Sequence, residues 1–466
     1  MSLLSDDHHF PRFHVRPRRG YVNDPNGPVI IDDQVHLYFQ YRPATDGDSF
    51  VTWGHASSFD YVNWRQHRLA LTPESDGPDK DGTWSGCTVR HSGRLLAFYS
   101  AYEAGEQYQS VVSAESLDGG FSFGPGSRVL PDPDLQDKLV HFRDPFVWQD
   151  RGLWRMVVGA GAVDGTASAR VYESRDLTSW SPSGIYAQLA RRETPAGDTG
   201  VMWECPQVVT LDGTDVLIVC PWTPQTNLGQ VLTLTERRHG SQATPVIGRL
   251  DEGINFYAAS VLRESPFGPL VWGWATEARS PQWCAEVDWS GMITLPRVLS
   301  IRPDRTVASS PVPAMSLLRT QPLDLVRQGP SRQYVSGVPS QAEIHLDLPA
   351  EVGAKLVTVR IRFSTQEYLE IVVDGEAGVV GVSTDHASED PRAFRQSISL
   401  DIARDDRAST LSVTAYVDGS ILELFAGAGH CATLRMYPTA RPPWSVEIEG
   451  DLAGIDVSCW SLASST

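Results

Sequence analysis

From Asn23 to Trp274 the apolar residues fall in paired runs, each pair separated by a polar turn. PVIIDDQVHLYFQY follows the motif Asn23-Asp24-Pro25-Asn26-Gly27, and CTVRHSGRLLAFYS follows Trp84-Ser85-Gly86. PFVWQDRGLWRMVVGA follows Phe142-Arg143-Asp144, CPQVVTLDGTDVLIVC follows Trp203-Glu204, and AASVLRESPFGPLVWGWA follows Asn255-Phe256-Tyr257. Each unit has a β-branched run, a Gly or Asp turn and a second apolar-aromatic run, which is the pattern of two strands joined by a tight connection. Ser58-Phe59-Asp60, Ser116-Leu117-Asp118 and Ser174-Arg175-Asp176 recur 58 residues apart. Strand-rich repeats longer than about 40 residues, with little helical periodicity between them, predict propeller blades of four antiparallel strands. Five units predict a five-bladed β-propeller over residues 1–302, with the motif of each unit at the mouth of the blade's innermost strand. Residues distant in sequence then meet around one axis.

Past Ile301 the repeat stops. RPDRTVASSPVPAMSLLRTQP is rich in Pro and Ser and predicts a linker, 303–328, with at most one helical turn. Residues 329–466 alternate apolar and polar positions in short runs such as KLVTVRIRF, YLEIVVD, STLSVTAYVD and SILELFAG, which predicts a β-sandwich. The fold class is all-β. GAGAVDG at 159–165 lacks the last glycine of a dinucleotide loop, since Asp164 stands there, and no amphipathic helix follows; it predicts a hairpin turn.

Composition narrows the partners. At 466 residues the chain exceeds one compact core. Its 39 Lys and Arg against 57 Asp and Glu leave a net charge of −18, which repels nucleic acid and anionic membrane surfaces. Neither partner is expected. The six cysteines form no CxxC pair and predict buried, reduced thiols. The first twenty residues lack the apolar run of a secretory signal, and no later stretch of about 18 apolar residues could span a bilayer. A cytoplasmic protein is expected, or a secreted one if a signal has been removed. The oligomeric state is left open.

Three motifs each carry one carboxylate: Asp24, Asp144 and Glu204. A ring of acids at a propeller mouth suits either a cation or a glycosidic bond. Hard cations take six to eight oxygens, often from a DxDxDG loop, and no such loop is present. HExxH is absent too, and no histidine pair shows metal-ligand spacing, so no metal and no cofactor are expected. Aromatics crowd the motifs instead: Tyr21, Trp53, Trp84, Phe142, Trp203, Phe256, Tyr257, Trp272 and Trp274. Their faces suit the C–H face of a sugar ring while acids and amides bind its hydroxyls. A retaining glycosidase needs two carboxylates about 5–5.5 Å apart, one ionised and one protonated.

The chain resembles glycoside hydrolase family 32, the invertase and fructanase family, through NDPNG (23–27), WGHA (53–56), WSGC (84–87), FRDP (142–145), WECP (203–206), NFYA (255–258), WGW (272–274) and TLPR (294–297). SILELFAGAG (420–429) and LRMYP (434–438) resemble the family's sandwich. The resemblance implies a β-fructofuranosidase acting on sucrose and related fructo-oligosaccharides with retention at C2. Asp24 would be the nucleophile, Glu204 the acid/base, and Asp144 the residue that binds fructosyl hydroxyls and stabilises the transition state. Neighbouring negative charge and the apolar flank of Trp203 would keep Glu204 protonated. Asn23, Gln40, Trp53, Ser85 and Arg143 would line the fructose subsite, with Trp274 farther out. Tyr21-Val22, where the family has an aromatic-Met pair, and Asn255, where it commonly has Asp, are departures that bear on substrate preference. The alternatives are a fructosyltransferase with the same acids, an inverting glycosidase on a similar propeller, and a sugar-binding module without catalysis.

Overall fold

A computed structural model describes residues 7–44, 49–105, 109–130, 138–225, 227–237, 245–349, 356–402 and 410–463. Five antiparallel sheets surround one axis, and their innermost strands are Gly20–Ile31, Gly82–His91, Leu139–Asp150, Met202–Leu211 and Phe256–Leu262. These open blades 1 to 5 in sequence order, and neighbouring inner strands pack on one another around the ring. Each motif lies in or beside the first half of its inner strand. Trp289–Ser290 pairs in parallel with Gly20 and Tyr21 and so joins the blade 5 segment to blade 1. The Ser-x-Asp triplets form the turns that leave the third strand of blades 1 to 3. In each, the serine Oγ donates to the aspartate Oδ1, over 3.0 Å from Ser58, 2.9 Å from Ser116 and 3.0 Å from Ser174. Their exact spacing therefore marks blade geometry. GAGAVDG forms the end of a strand at Ala162 and a turn with Gly165 at φ 81°, before the next strand at Thr166.

The domain boundary differs from the sequence expectation. Val307–Pro311 is the outermost strand of blade 5, paired with Arg297–Ile301, and Arg319–Pro322 already belongs to the second domain, paired with Asp456–Leu462. Only a 3₁₀ helix, Pro313–Leu318, and its flanks connect the two. Proline and serine obscured both strands because each lies at a sheet edge, where Pro is tolerated.

The second domain is a sandwich of a six-stranded and a seven-stranded sheet. Strict alternation, as in Leu356–Arg362 and Tyr368–Asp374, turns Val357, Val359, Ile361, Leu369, Ile371 and Val373 into the core. All six cysteines are buried and unpaired by disulfides.

The domains meet through a buried ionic seam. Arg297 of TLPR is fully buried, with Nη1 2.6 Å from Asp251 Oδ2 and Nη2 2.6 Å from Glu423 Oε2 of the sandwich. His14 lies between Asp418, 2.8 Å from Nδ1, and Glu423, 3.0 Å from Nε2. Asn255 also belongs here: its Oδ1 accepts from the Arg435 backbone at 3.2 Å and its Nδ2 donates to Thr276 Oγ1 at 3.1 Å. This departure from the family pattern sits at the seam, where it positions the two domains.

Candidate active site

In every blade the inner strand carries a bulge, so that two of its residues oppose one on the next strand. The bulges fall between Val22 and Pro25, Thr83 and Gly86, Arg143 and Phe146, Glu204 and Gln207, and Tyr257 and Ser260. A bulge bends the strand and re-aims its side chains. Asp144, Cys205 and Ala258, the first bulge residues of blades 3 to 5, have φ of 65°, 45° and 50°. Non-glycine residues seldom adopt this backbone, and it clusters where structure is held for function.

The register corrects one sequence reading. Asp24, Asp144 and Glu204 come from matching segments but not from an equivalent position. Glu204 precedes its bulge and matches Arg143 and Tyr257; Asp144 is first in its bulge and matches Cys205; Asp24 is second and matches Ser85. The motifs look alike in composition, but the ladder sets which side chain turns inward. The matched residues then touch across the axis. Arg143 Nη2 lies 2.8 Å from Glu204 Oε1, and Tyr257 Oη donates to Glu204 Oε2 at 2.7 Å. The Cys205 amide donates to Asp144 Oδ2 at 3.0 Å, and Ser85 Oγ donates to Asp24 Oδ2.

The three acids form one group. Cys205 Sγ is 3.6 Å from Asp24 Oδ2 and 3.7 Å from Asp144 Oδ2. Asn23 Nδ2 donates to Asp24 Oδ1 at 3.0 Å and to Gln40 Oε1 at 2.9 Å, and Gln40 Nε2 reaches Asp24 Oδ2 at 3.3 Å as well as Ser85 Oγ. Ser100 Oγ receives the Asp144 amide at 2.7 Å. Asn23, Gln40, Ser85 and Arg143 thus all contact an acid directly. Trp53 does not: it is fully buried and its indole N–H donates to the Trp84 carbonyl at 2.9 Å, backing the blade 2 bulge from behind. Trp274 lies opposite Tyr257 in the ladder, and its ring meets that of Tyr21 edge to face with centroids 5.9 Å apart. Ser100, Cys205 and Tyr257 were not singled out as site residues. For Cys205 and Tyr257 the available signal was their place inside WECP and NFYA; Ser100, in an ordinary strand end, offered none.

Trp203 does not flank Glu204. Adjacent strand residues point to opposite faces, and Trp203 is fully buried, with its indole N–H donating to the Thr199 carbonyl at 3.0 Å. The close approach of blades 3 and 4 at this point requires glycine: a Cβ on Gly159 would stand 1.9 Å from the Trp203 carbonyl oxygen. Arg143 and Tyr257 are the actual neighbours of Glu204.

Burial pushes the Asp24 carboxyl up to about 6; the nearby charge of Glu204 adds to this, and the hydrogen bonds from Ser85, Asn23 and Cys205 offset part of it. Burial likewise raises Asp144, opposed by Arg143 and reinforced by Glu204 and Asp24. The Tyr257 phenol is driven far up by burial and by Glu204, so it remains a donor. Three acids against one guanidinium form a pocket suited to a cationic centre that develops during reaction. Hydrogen-bond donors already face all three carboxylates, which is a poor arrangement for a cation cage. One histidine cluster escaped the sequence reading: Asp7, His8 and His9 bring ligand-type atoms within 4.8 Å of one another, at the seam beside Trp289 and Pro438.

Residues 14–311 match the glycosyl hydrolases family 32 N-terminal domain, and residues 316–451 match the glycosyl hydrolases family 32 C terminal. The chain is 30% identical over 383 residues to the sucrose-6-phosphate hydrolase of Bacillus subtilis, covering 75% of this chain and 76% of that protein. It is 29% identical over 474 residues to the raffinose invertase of Escherichia coli, covering 97% and 95%. Its fold matches the Bombyx mori GH32 beta-fructofuranosidase with a TM-score of 0.82 at 23% identity, over 99% of this chain and 95% of that one. A variant of the Bombyx enzyme has also been solved in complex with sucrose.

Proposed function

The chain belongs to glycosyl hydrolases family 32 and is a glycoside hydrolase, and from that premise we propose that it is a retaining β-fructofuranosidase acting on terminal β-D-fructofuranosyl units of sucrose and related fructo-oligosaccharides. Asp24 is the nucleophile, Glu204 the acid/base and Asp144 the transition-state stabiliser. The observation that carries this reading is the unequal dressing of the three acids. Asp24 and Asp144 share the Cys205 thiol at the axis, while Glu204 stands with Arg143 and Tyr257.

Asp24 is held by side-chain donors on both oxygens, which fixes its direction of attack on C2. As the glycosidic bond breaks, positive charge grows on the fructosyl ring, and ionised Asp24 and buried Asp144 lower its energy. Glu204 supplies the proton to the departing oxygen, then takes one from the water that opens the fructosyl-Asp24 ester. Tyr257 and Arg143 keep its carboxyl oriented through both steps. Asn23, Gln40 and Ser85 hold Asp24 and offer donors and acceptors to fructose hydroxyls.

The test compares wild type with Glu204→Gln on sucrose and on a fructoside with an activated aryl leaving group. The variant should lose on the order of 10²–10⁴-fold on sucrose and far less on the aryl fructoside, which needs little protonation. Equal loss on both would remove Glu204 from the acid role. NMR of the first-formed fructose should show the β anomer; the α anomer would mean inversion. Product sizing at high sucrose separates hydrolysis from transfer.

A further inference from the structure

The mouthward side of the Arg143–Glu204 pair carries two rings that make no hydrogen bond to any of the three acids. Beneath the acids the axis narrows to a void of about 10 Å³, lined by Ser85, Asp144 and Cys205 and by residues that follow the motif positions along the inner strands, Pro25, Asn26, Gly86, Pro145, Gln207 and Ala259, all but Gly86 buried, whereas Asn23, Asp24 and Glu204 are partly exposed. The open end therefore lies toward the strand starts. His141 stands two residues before Arg143, and Trp222, opposite Met202, stands two ladder positions before the pairing of Glu204 with Cys220. The two rings meet edge to face with centroids 4.9 Å apart, and the Arg143 guanidinium carbon lies 5.9 Å from the Trp222 ring. Both side chains are half-buried, in contrast to the buried residues around them.

The pair stands beside the Arg143–Glu204 ion pair and has free polar edges. Among the described residues neither the Trp222 indole N–H nor either His141 ring nitrogen has a hydrogen-bond partner. Burial first, and Arg143 second, push the His141 imidazole below its ordinary range, which leaves it one donor and one acceptor near neutrality. Gly161, opposite His141 in the ladder, makes room for it: a Cβ there would lie 3.3 Å from the imidazole and 2.5 Å from the Val201 carbonyl oxygen.

A fructosyl unit seated on Asp24 and Asp144 turns its glycosidic oxygen to Glu204, so the departing unit extends from Glu204 toward the mouth. We propose that His141 and Trp222 form the subsite for that departing hexosyl unit, with the indole against its C–H face and the imidazole on a hydroxyl. The proposal rests on the reading of Glu204 as proton donor. It makes this pair a determinant of which fructosides are cleaved.

The experiment measures kcat/KM of wild type, Trp222→Ala, Trp222→Phe and His141→Ala on sucrose and on methyl β-D-fructofuranoside, whose leaving group has no ring. Trp222→Ala should lose roughly 10- to 100-fold on sucrose, the scale of one lost apolar pocket contact, with little change on the methyl glycoside. Trp222→Phe should recover much of the loss, and His141→Ala should show the same selectivity at smaller size. Parallel losses on both substrates would mean that the pair only positions Arg143 and Glu204, and unchanged rates on both would remove it from the site; either overturns the proposal. A wild-type protein inert on both substrates would overturn the hydrolase reading and this subsite with it.

Discussion

Two buried groups of carboxylates lie in the same molecule and are dressed in opposite ways. At the seam, Asp418 accepts three backbone N–H groups, from Arg12 at 2.7 Å, Phe13 at 2.9 Å and His14 at 3.0 Å, in addition to the His14 ring. Glu423 accepts from Leu295 N at 2.7 Å and from both Arg297 and His14. Burial opposes ionisation in both, yet donors and cations hold both carboxyls below their usual range. At the axis, burial dominates and the carboxyls of Asp24 and Asp144 move up. Burial alone therefore does not decide the charge of an acid; the donors that accompany it do. The seam acids are satisfied by the protein and hold two domains in register. The axial acids share one thiol and a few amide and hydroxyl donors, and remain incompletely compensated until a sugar arrives.

The sharpest way to break this contrast is to substitute one acid of each group. Asp24→Asn should abolish turnover, by on the order of 10⁴-fold or more, as loss of a nucleophile does. The same change should not destabilise the fold. An acid whose carboxyl rises from 3.8 to about 6 on folding destabilises the native state progressively as pH rises through that interval, by roughly 3 kcal/mol at neutral pH. The amide removes that penalty, so the unfolding midpoint at pH 7.5 should hold or rise. A clear fall in midpoint would show that the axis is built for stability like the seam.

The reverse pattern is expected at the seam. Arg297→Met leaves Asp251 buried without its cation and Glu423 with His14 alone, a loss of about 3–5 kcal/mol. Thermal unfolding should move down sharply, while the activity of each folded molecule on sucrose stays near wild type, because Arg297 touches no axial acid. Loss of activity with an unchanged midpoint would sink the distinction between the two groups.

How far the sequence foretells this arrangement differs between the same two regions. The propeller was readable because each blade repeats a strand pair, and the constant spacing of the Ser-x-Asp turns gave its period. The sandwich was readable from alternation alone. Asp24, Asp144 and Glu204 could be named from their motifs, but not their geometry, since one-residue steps within a bulge decide which side chain faces the axis and composition does not record them. Trp203 illustrates the same limit: an aromatic beside a motif acid can lie on the far side of the strand. The seam was almost invisible, because Arg297, Glu423 and His14 are dispersed over more than 400 residues and acquire meaning only once the two domains are docked. The linker estimate failed for a related reason, as Pro and Ser at edge strands read like loop.

The smallest expected effect tests how the axis tunes its own charge. Ser85 Oγ donates to Asp24 Oδ2, and this hydrogen bond favours the ionised carboxylate against burial. Ser85→Ala removes it, and a hydrogen bond to a charged group is worth about 1.5–3 kcal/mol, equivalent to a rise of about one to two pH units in the Asp24 titration. Asp24 must be ionised to attack, so the acidic limb of kcat/KM, expected near 6 in the wild type, should move to higher pH, whatever plateau the lost fructose contact leaves on the alkaline side. A pH–rate profile on sucrose reads this directly. The seam supplies the control, because Gln341 Nε2 donates to Asp418 Oδ1 at 2.9 Å in a comparable way. There the surviving backbone donors and His14 still hold the carboxylate ionised, so Gln341→Ala should leave the acidic limb in place and change only stability, and that slightly. If the limb moved equally in both variants, the acidic limb would report unfolding of the whole molecule, and Asp24 would lose its claim to it.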